Sequence, residues 1–428
     1  EKKYQDYYIF KEGAPDQPPT NWQSKFGGSA WEYVSSLGKW YLHLFDVTQA
    51  DLNWKNPEVR EELKEVIRFW KAKGVKGFRF DVVNLISKPE IWEDDFEGDG
   101  RKFYTDGPYV HEYLKELVRD TGIEDYVTVG EMSSTTLEHC IRYSGAEEKE
   151  LSMCFNFHHL KVDYKDGNKW ELMEPDYMEL KVIFEKWQMG MQRGNAWNAL
   201  FWCNHDQPRI VSRFGNEGEY WKESAKMLAG MIHLMRGTPY IYQGEEIGMT
   251  NAYFKSISDY RDIEAINAYK EYTESGLMTE EEMLNCLKMI SRDNARTPMQ
   301  WDDGANAGFT TGTPWISVNK NYTQINAKAA LEDKDSVFYY YQKLIRLRHQ
   351  YEVIVEGVFH GLLEDNDDIY AYERTLGNEK LVVACNFTNK EVSCELFEEN
   401  EGEELITNYK NHVAGALQPY ETRVILYK

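Results

Sequence analysis

No stretch of the 428 residues is apolar for long enough to cross a bilayer; the most apolar windows, such as 225–235, fall far short of the roughly 20 residues a spanning helix needs. Positive charge is also scarce. With 49 Lys and Arg against 72 Asp and Glu the formal net charge is −23, so the broad basic face that nonspecific nucleic-acid or anionic-membrane binding requires is missing. The six cysteines (Cys140, Cys154, Cys203, Cys286, Cys385, Cys394) are scattered, without CxxC spacing or a His at zinc-finger distance. They read as free buried thiols in a reducing compartment. Internal repeats and low-complexity tracts are absent, and 42% apolar residues exclude intrinsic disorder. Glu1 to Asp6 are polar and charged, so no secretory leader is expected, and a cytoplasmic location is.

At roughly 100–200 residues per domain, the length suggests two or three domains. Residues 1–52 look loop-rich, with Gly27-Gly28 and Ala14-Pro15-Asp16-Gln17-Pro18-Pro19 as turn punctuation. A helix is predicted from Asn56, a plausible N-cap followed by Pro57, with apolar positions at Val59, Leu63, Val66, Ile67 and Trp70 and a stop at Gly74. A short strand over 76–83 follows. The helix-then-strand pattern recurs: a helix over 108–118, strands over 126–131, 153–157, 199–204 and 239–243, and helices over 222–236 and 336–348. Such alternation predicts a parallel α/β layout. Beyond residue 350, short strands over 353–359, 369–373, 380–386 and 423–427 predict a separate antiparallel β domain. The acidic run 398–404 reads as a solvated loop.

Three predicted strand ends each carry an acid: Asp81, Glu131 and Asp206. On the first strand Arg79 and Asp81 share a face, while Phe78, Phe80 and Val82 take the face that meets the helices. One acid at a strand end is usually a cap for the next helix. Three in the same topological position suit the mouth of a parallel barrel. Two carboxyl groups about 5 Å apart suit a retaining double displacement at a sugar, and a third can hold hydroxyls as the ring distorts. Arg79 would keep Asp81 ionised, whereas the acid that protonates the leaving oxygen needs a dry, electronegative setting. Spacing does not assign the roles, and the reading requires all three to meet around one glucosyl C1.

The stretches Gly77-Phe78-Arg79-Phe80-Asp81-Val82-Val83-Asn84, Val129-Gly130-Glu131-Met132 and Asn204-His205-Asp206-Gln207-Pro208-Arg209 resemble three conserved regions of the family-13 glycoside hydrolases, the α-amylase group. Gln49-Ala50-Asp51-Leu52-Asn53 is similar to a short motif near the end of that group's inserted domain B. The stretches 237–246 and 291–301 resemble its eighth barrel strand and a sugar-site loop of oligo-1,6-glucosidases. The likeness covers essentially the whole chain. It implies a partial (β/α)8 TIM barrel, α/β in class, with a remnant of domain B over 1–52, barrel strands 4 to 8 over 53–350 and a C-terminal antiparallel β domain over 351–428. It also implies Asp81 as nucleophile, Glu131 as general acid/base and Asp206 as transition-state stabiliser, with Arg79, His205, Arg292 and Arg296 contacting the sugar. Val82 matches members acting on α-1,6 and related linkages.

The stretches 130–136, 201–206 and 157–164 resemble most those members that cleave a phosphorylated disaccharide, and this sets the expected partner. A phosphate monoester is nearly doubly charged and a protein at −23 repels it at long range, so a local basic grip is needed. His158, His159, Lys161, Lys165 and Lys169 follow a predicted strand end and could supply it. His158, Lys161 and Lys169 are the candidates, and Lys161 leads because the oligo-1,6-glucosidase pattern has no Lys there. The alternative is an oligo-1,6-glucosidase or trehalulose-forming enzyme with unphosphorylated substrates; a catalytically silent relative would have lost acids that are present here. A metal-dependent hydrolase would need clustered ligands, and adjacent His158-His159 on a strand end would point to opposite faces. No metal and no cofactor is expected; the family's calcium loop belongs to a front part not found in this sequence. The chain is therefore expected to begin inside domain B, and by itself to turn over poorly, because a barrel without its first three strands has open edges.

Overall fold

The computed structural model describes residues 1–397 and 402–428, so most of the predicted acidic loop at 398–404 lies outside the described residues. Two compact units emerge, one of residues 1–157 with 193–198, the other of 158–192 with 199–428.

In the first unit the expected loop region holds a small antiparallel sheet in the order β1 (Phe10–Glu12), β3 (Lys39–Leu42), β2 (Trp31–Val34). Trp22, Trp31, Leu42, Leu44 and Tyr104 form its buried core. The helix Pro57–Ala72 is built as the sequence suggests. Asn56 caps it by accepting from the Glu58 N–H at 2.9 Å, and Gly74, with φ +92°, lets the chain turn away. A parallel sheet follows in the order β4 (Gly77–Phe80), β5 (Val127–Glu131), β6 (Met153–Phe155). Phe78 and Phe80 pack on helix residues Ile67, Leu117 and Val118 and on Ile123 just past the second helix, the predicted helix-facing side. The strand stops at Phe80, earlier than expected. Val82 leaves the pleat for the left-handed region at φ +36°, ψ +40°, so it shares no face with the two phenylalanines.

In the second unit β7 (Ala199–Leu200) and β8 (Thr238–Pro239) pair in parallel and are much shorter than the predicted runs. His158 and His159 lie on a 3₁₀ turn, His158–Leu160, rather than a strand end. The residues expected to open the β domain as a strand, 353–359, begin instead as a helix, Glu352–Glu356, and β9 (Val358–Leu362) starts after Gly357. With β10 (Ile369–Leu376), β11 (Glu379–Asn386), β13 (Glu403–Thr407) and β15 (Thr422–Tyr427) it makes a five-stranded sheet, order β13-β15-β11-β10-β9. A minor ribbon pairs β12 (Val392–Ser393) with β14 (Ala416–Leu417). Among the described residues no helix is long and apolar enough to cross a membrane.

Two buried cations, Lys181 and Arg374, tie this sheet to the helices of the same unit, and a half-buried one, Arg348, ties the helix that precedes it to residues 233–235, all by donating to main-chain carbonyls. Lys181 Nζ donates to Leu363 O (2.7 Å), Asn366 O (2.6 Å) and Ile369 O (3.0 Å). Arg374 serves Leu234 O (2.9 Å), Ile354 O (2.7 Å) and Gly357 O (2.6 Å). Arg348 reaches His233 O at 2.8 Å and Met235 O at 3.2 Å.

Glu245 is buried nearby and accepts from Tyr341 Oη at 2.6 Å. Burial pushes its carboxyl up to about 7, against a lowering by the Tyr341 hydrogen bond. The folded state therefore binds this proton more tightly than the unfolded chain. The resulting stability is full below the unfolded carboxyl range and is lost as pH rises through neutrality. Glu245→Gln, neutral throughout, should gain several degrees of melting temperature relative to wild type between about pH 5 and about pH 8. A constant gap across that range, measured by scanning calorimetry, would contradict this.

Candidate active site

The residues singled out from sequence fall into two constellations, one within each unit. In the first, the β4–β5 register pairs Phe80 with Gly130, so the next positions, Asp81 and Glu131, leave neighbouring parallel strands side by side. Arg79, two residues before Asp81 and on its face, bridges them. Nη1 donates to Asp81 Oδ1 at 2.8 Å and Nη2 donates to Glu131 Oε2. One guanidinium shared in this way holds the two carboxyl groups close to each other, as the short separation that retaining glycosidases use requires. The two acids differ in setting: the Asp81 side chain is 71% exposed and that of Glu131 only 9%. Glu131 thus has the dry site expected of a proton donor, but its immediate neighbour is a cation rather than the electronegative surroundings anticipated. A Cβ at Gly130 would lie 2.5 Å from Met132 Cε and 2.6 Å from Leu151 Cδ1, so any side chain there would make both of these side chains shift.

In the second unit Asp206 sits in a loop well beyond the end of β7, not at a strand terminus. Its N–H donates to Asn204 Oδ1 at 2.7 Å, which fixes the turn. Asp206 Oδ1 accepts from Arg296 Nη2 at 2.6 Å and lies 3.4 Å from Arg292 Nη1, while Oδ2 is 3.2 Å from His205 Nε2. Arg296 Nε also donates to His205 O at 2.8 Å. Both arginines are therefore part of the Asp206 setting, and so is His205.

Sequence reasoning missed the acid that holds these arginines. Asp262 is buried and accepts from Arg292 Nε (2.9 Å) and Nη2 (2.5 Å), with Arg296 Nη1 at 3.6 Å. Burial alone would push its carboxyl up, but the Arg292 hydrogen bond and both guanidinium charges hold it below the usual carboxylate range. Asp262 caps the helix Ile263–Glu274, and that local signal was the only one available in the sequence. Glu264, in the first turn, accepts from Lys169 Nζ at 2.7 Å and lies 3.1 Å from Arg292 Nε.

Lys169 is thus brought into the Asp206 network through Glu264. His158 stacks on Trp187 with ring centroids 5.2 Å apart. Lys161 is exposed on the turn that follows. His159 is structural: Nε2 bonds Phe201 O at 2.8 Å, and burial lowers its pKa to about 4, so it stays neutral.

The alpha amylase catalytic-domain family matches residues 1–357, and the maltogenic amylase C-terminal domain matches 359–424. Trehalose-6-phosphate hydrolases of Bacillus subtilis and Escherichia coli are 53% and 56% identical, over 98% and 91% of this chain and 77% and 71% of theirs. An oligo-1,6-glucosidase of Parageobacillus thermoglucosidasius is 50% identical over 98% of this chain and 77% of its own. The crystal structure of a Bacillus licheniformis trehalose-6-phosphate hydrolase variant superposes with a TM-score of 0.95 at 52% identity, covering 99% of this chain and 79% of that one.

Proposed function

Because the chain belongs to the α-amylase family of glycoside hydrolases, we propose that it is a retaining α-glucosidase that hydrolyses trehalose 6-phosphate to glucose and glucose 6-phosphate. The fold class is that family's: a partial (β/α)8 barrel followed by an antiparallel β domain. The observation that carries the chemistry is the pair of carboxyl groups at adjacent strand ends sharing Arg79. Asp81 attacks the anomeric carbon and forms a glucosyl ester, while Glu131 gives its proton to the departing oxygen. Glu131, now a carboxylate, then takes a proton from water, whose oxygen attacks the same carbon and frees Asp81. Asp206, steadied by Arg296, Arg292 and His205, is assigned the stabilisation of the oxocarbenium-like transition state. All of this draws on side chains alone.

The substrate assignment is supported by the two relatives at 53% and 56% identity; the oligo-1,6-glucosidase reading is less favoured. Phosphate recognition is assigned to His158, Lys161 and Lys169. Lys169 already serves Glu264, so a phosphate there would compete with a carboxylate. Lys161, exposed on the turn after the two histidines, is the leading candidate. All six thiols are buried and unbridged, as a cytoplasmic, reducing setting favours.

Comparing kcat/KM for trehalose 6-phosphate, trehalose and isomaltose tests the assignment, and the phosphorylated sugar should be preferred. Lys161→Ala should then lower kcat/KM about 10-fold for trehalose 6-phosphate, the loss of one charge-assisted contact, and leave the neutral sugars unchanged. Equal losses on all three would remove Lys161 from phosphate recognition, and a preference for isomaltose would overturn the substrate assignment.

A further inference from the structure

Beyond Phe80 and Gly130 the β4–β5 ladder ends, yet the two acids must keep their spacing where the strands separate. Asn84, three residues after Asp81, takes over with its side chain. Its Oδ1 accepts from the Ser133 N–H at 2.9 Å and its Nδ2 donates to Ser133 O at 2.8 Å, and Ser133 lies two residues after Glu131. An amide that pairs with both polar groups of one residue mimics a further rung of the sheet. Asp106 holds that amide from behind. Its Oδ1 accepts from Asn84 Nδ2 at 3.1 Å and from Tyr143 Oη at 2.6 Å, and its own N–H donates to Asn84 O at 2.9 Å. Asn84 and Tyr143 are both fully buried.

The turn being held is strained. Val82, directly after Asp81, has φ +36° and ψ +40°, a left-handed conformation that β-branched side chains resist. Strain of this kind persists only where the surroundings over-determine the backbone, and it gathers at functional sites. Here the determinants are the 3₁₀ turn Val83–Leu85, closed by Leu85 N to Val82 O at 3.0 Å, and the Asn84 amide.

We propose that Asn84 is a positioning residue of the glycosidase reaction: its amide, braced by Asp106 and Tyr143, joins the exits of β4 and β5 and so sets Asp81 relative to Glu131. This rests on the reading of those two acids as nucleophile and acid/base.

The test is Asn84→Ala in the protein that carries this chain, with kcat, KM and the pH profile of kcat/KM measured separately and the active fraction counted by trapping the glucosyl ester. A displacement of the acids without loss of substrate contacts should lower kcat about 100-fold, keep KM near wild type and shift the limb of the profile that Glu131 governs. Unchanged kcat would overturn the proposal, as would a fall in kcat matched by a fall in the active fraction. Should Asn84→Ala fail to fold, Tyr143→Phe decides, because it removes only the brace. It should lower kcat several-fold at constant KM, and wild-type kcat in that variant overturns the proposal. Full activity of Asp81→Asn would instead show that the underlying assignment of the acids is wrong.

Discussion

Asp81→Asn is expected to lower turnover on the order of 10⁵-fold while leaving substrate affinity nearly unchanged. The amide oxygen can still accept from Arg79, so the local hydrogen bond of 2.8 Å between Nη1 and this side chain survives, and what disappears is the nucleophile. A fluorinated glucosyl fluoride, which forms the ester quickly and loses it slowly, should label the peptide containing Asp81 in the wild type and label nothing in the variant. In Asp81→Ala, which removes the side chain, azide should restore part of the turnover by attacking the anomeric carbon from the vacated side, and the product should then have inverted configuration. A label on another carboxylate, or retained configuration in the azide product, would assign the nucleophile elsewhere.

The second large effect is that of Glu131→Gln. With a sugar as leaving group the first step loses its proton donor, and kcat should fall about 10³-fold. An aryl α-glucoside whose phenolate leaves without a proton should still form the glucosyl ester at close to the wild-type rate. The second step is slowed in both cases, because no carboxylate remains to take a proton from water. A burst of phenolate followed by very slow turnover is therefore expected, and the limb of the pH profile that belongs to this group should vanish. Equal slowing of the first step for sugar and phenolate leaving groups would show that Glu131 does not donate the proton. The side chain is only 9% exposed and bonded to Arg79, so Gln fits the same space and a general collapse of the site is not expected.

The parts of this arrangement that could be read from sequence are those written in local periodicity. The alternation along 77–81 placed Arg79 beside Asp81, and Asn56 with Pro57 announced the helix Pro57–Ala72. Other parts depend on partners that spacing does not reveal. Asp262 meets Arg292 across 30 residues, and Asn84 meets Ser133 across 49; nothing local marks either pair. Val82 runs against its own conformational preference, so only tertiary packing specifies it. The strands β1 to β3 are three or four residues long, too short for an alternating pattern to stand out. At 353–359 a brief apolar run fits a helix or a strand equally well, and the structure uses both.

Lys181, Arg348 and Arg374 bear on how the enzyme could be dissected. Lys181, on a helix, spends its charge on peptide oxygens of the β domain; Arg374, on a strand of that domain, serves Leu234 O and its own lead-in; and Arg348 joins the helix that leads into the domain to His233 O and Met235 O. Cutting the gene near codon 350 would strip Lys181 of its acceptors at Leu363, Asn366 and Ile369 and strand the Leu234 carbonyl that Arg374 serves, a defect no surface redesign could mend. The β domain is therefore not a removable module for protein engineering: a chimera that exchanges it must bring along the matching helical surface, or melt as an incomplete folding unit.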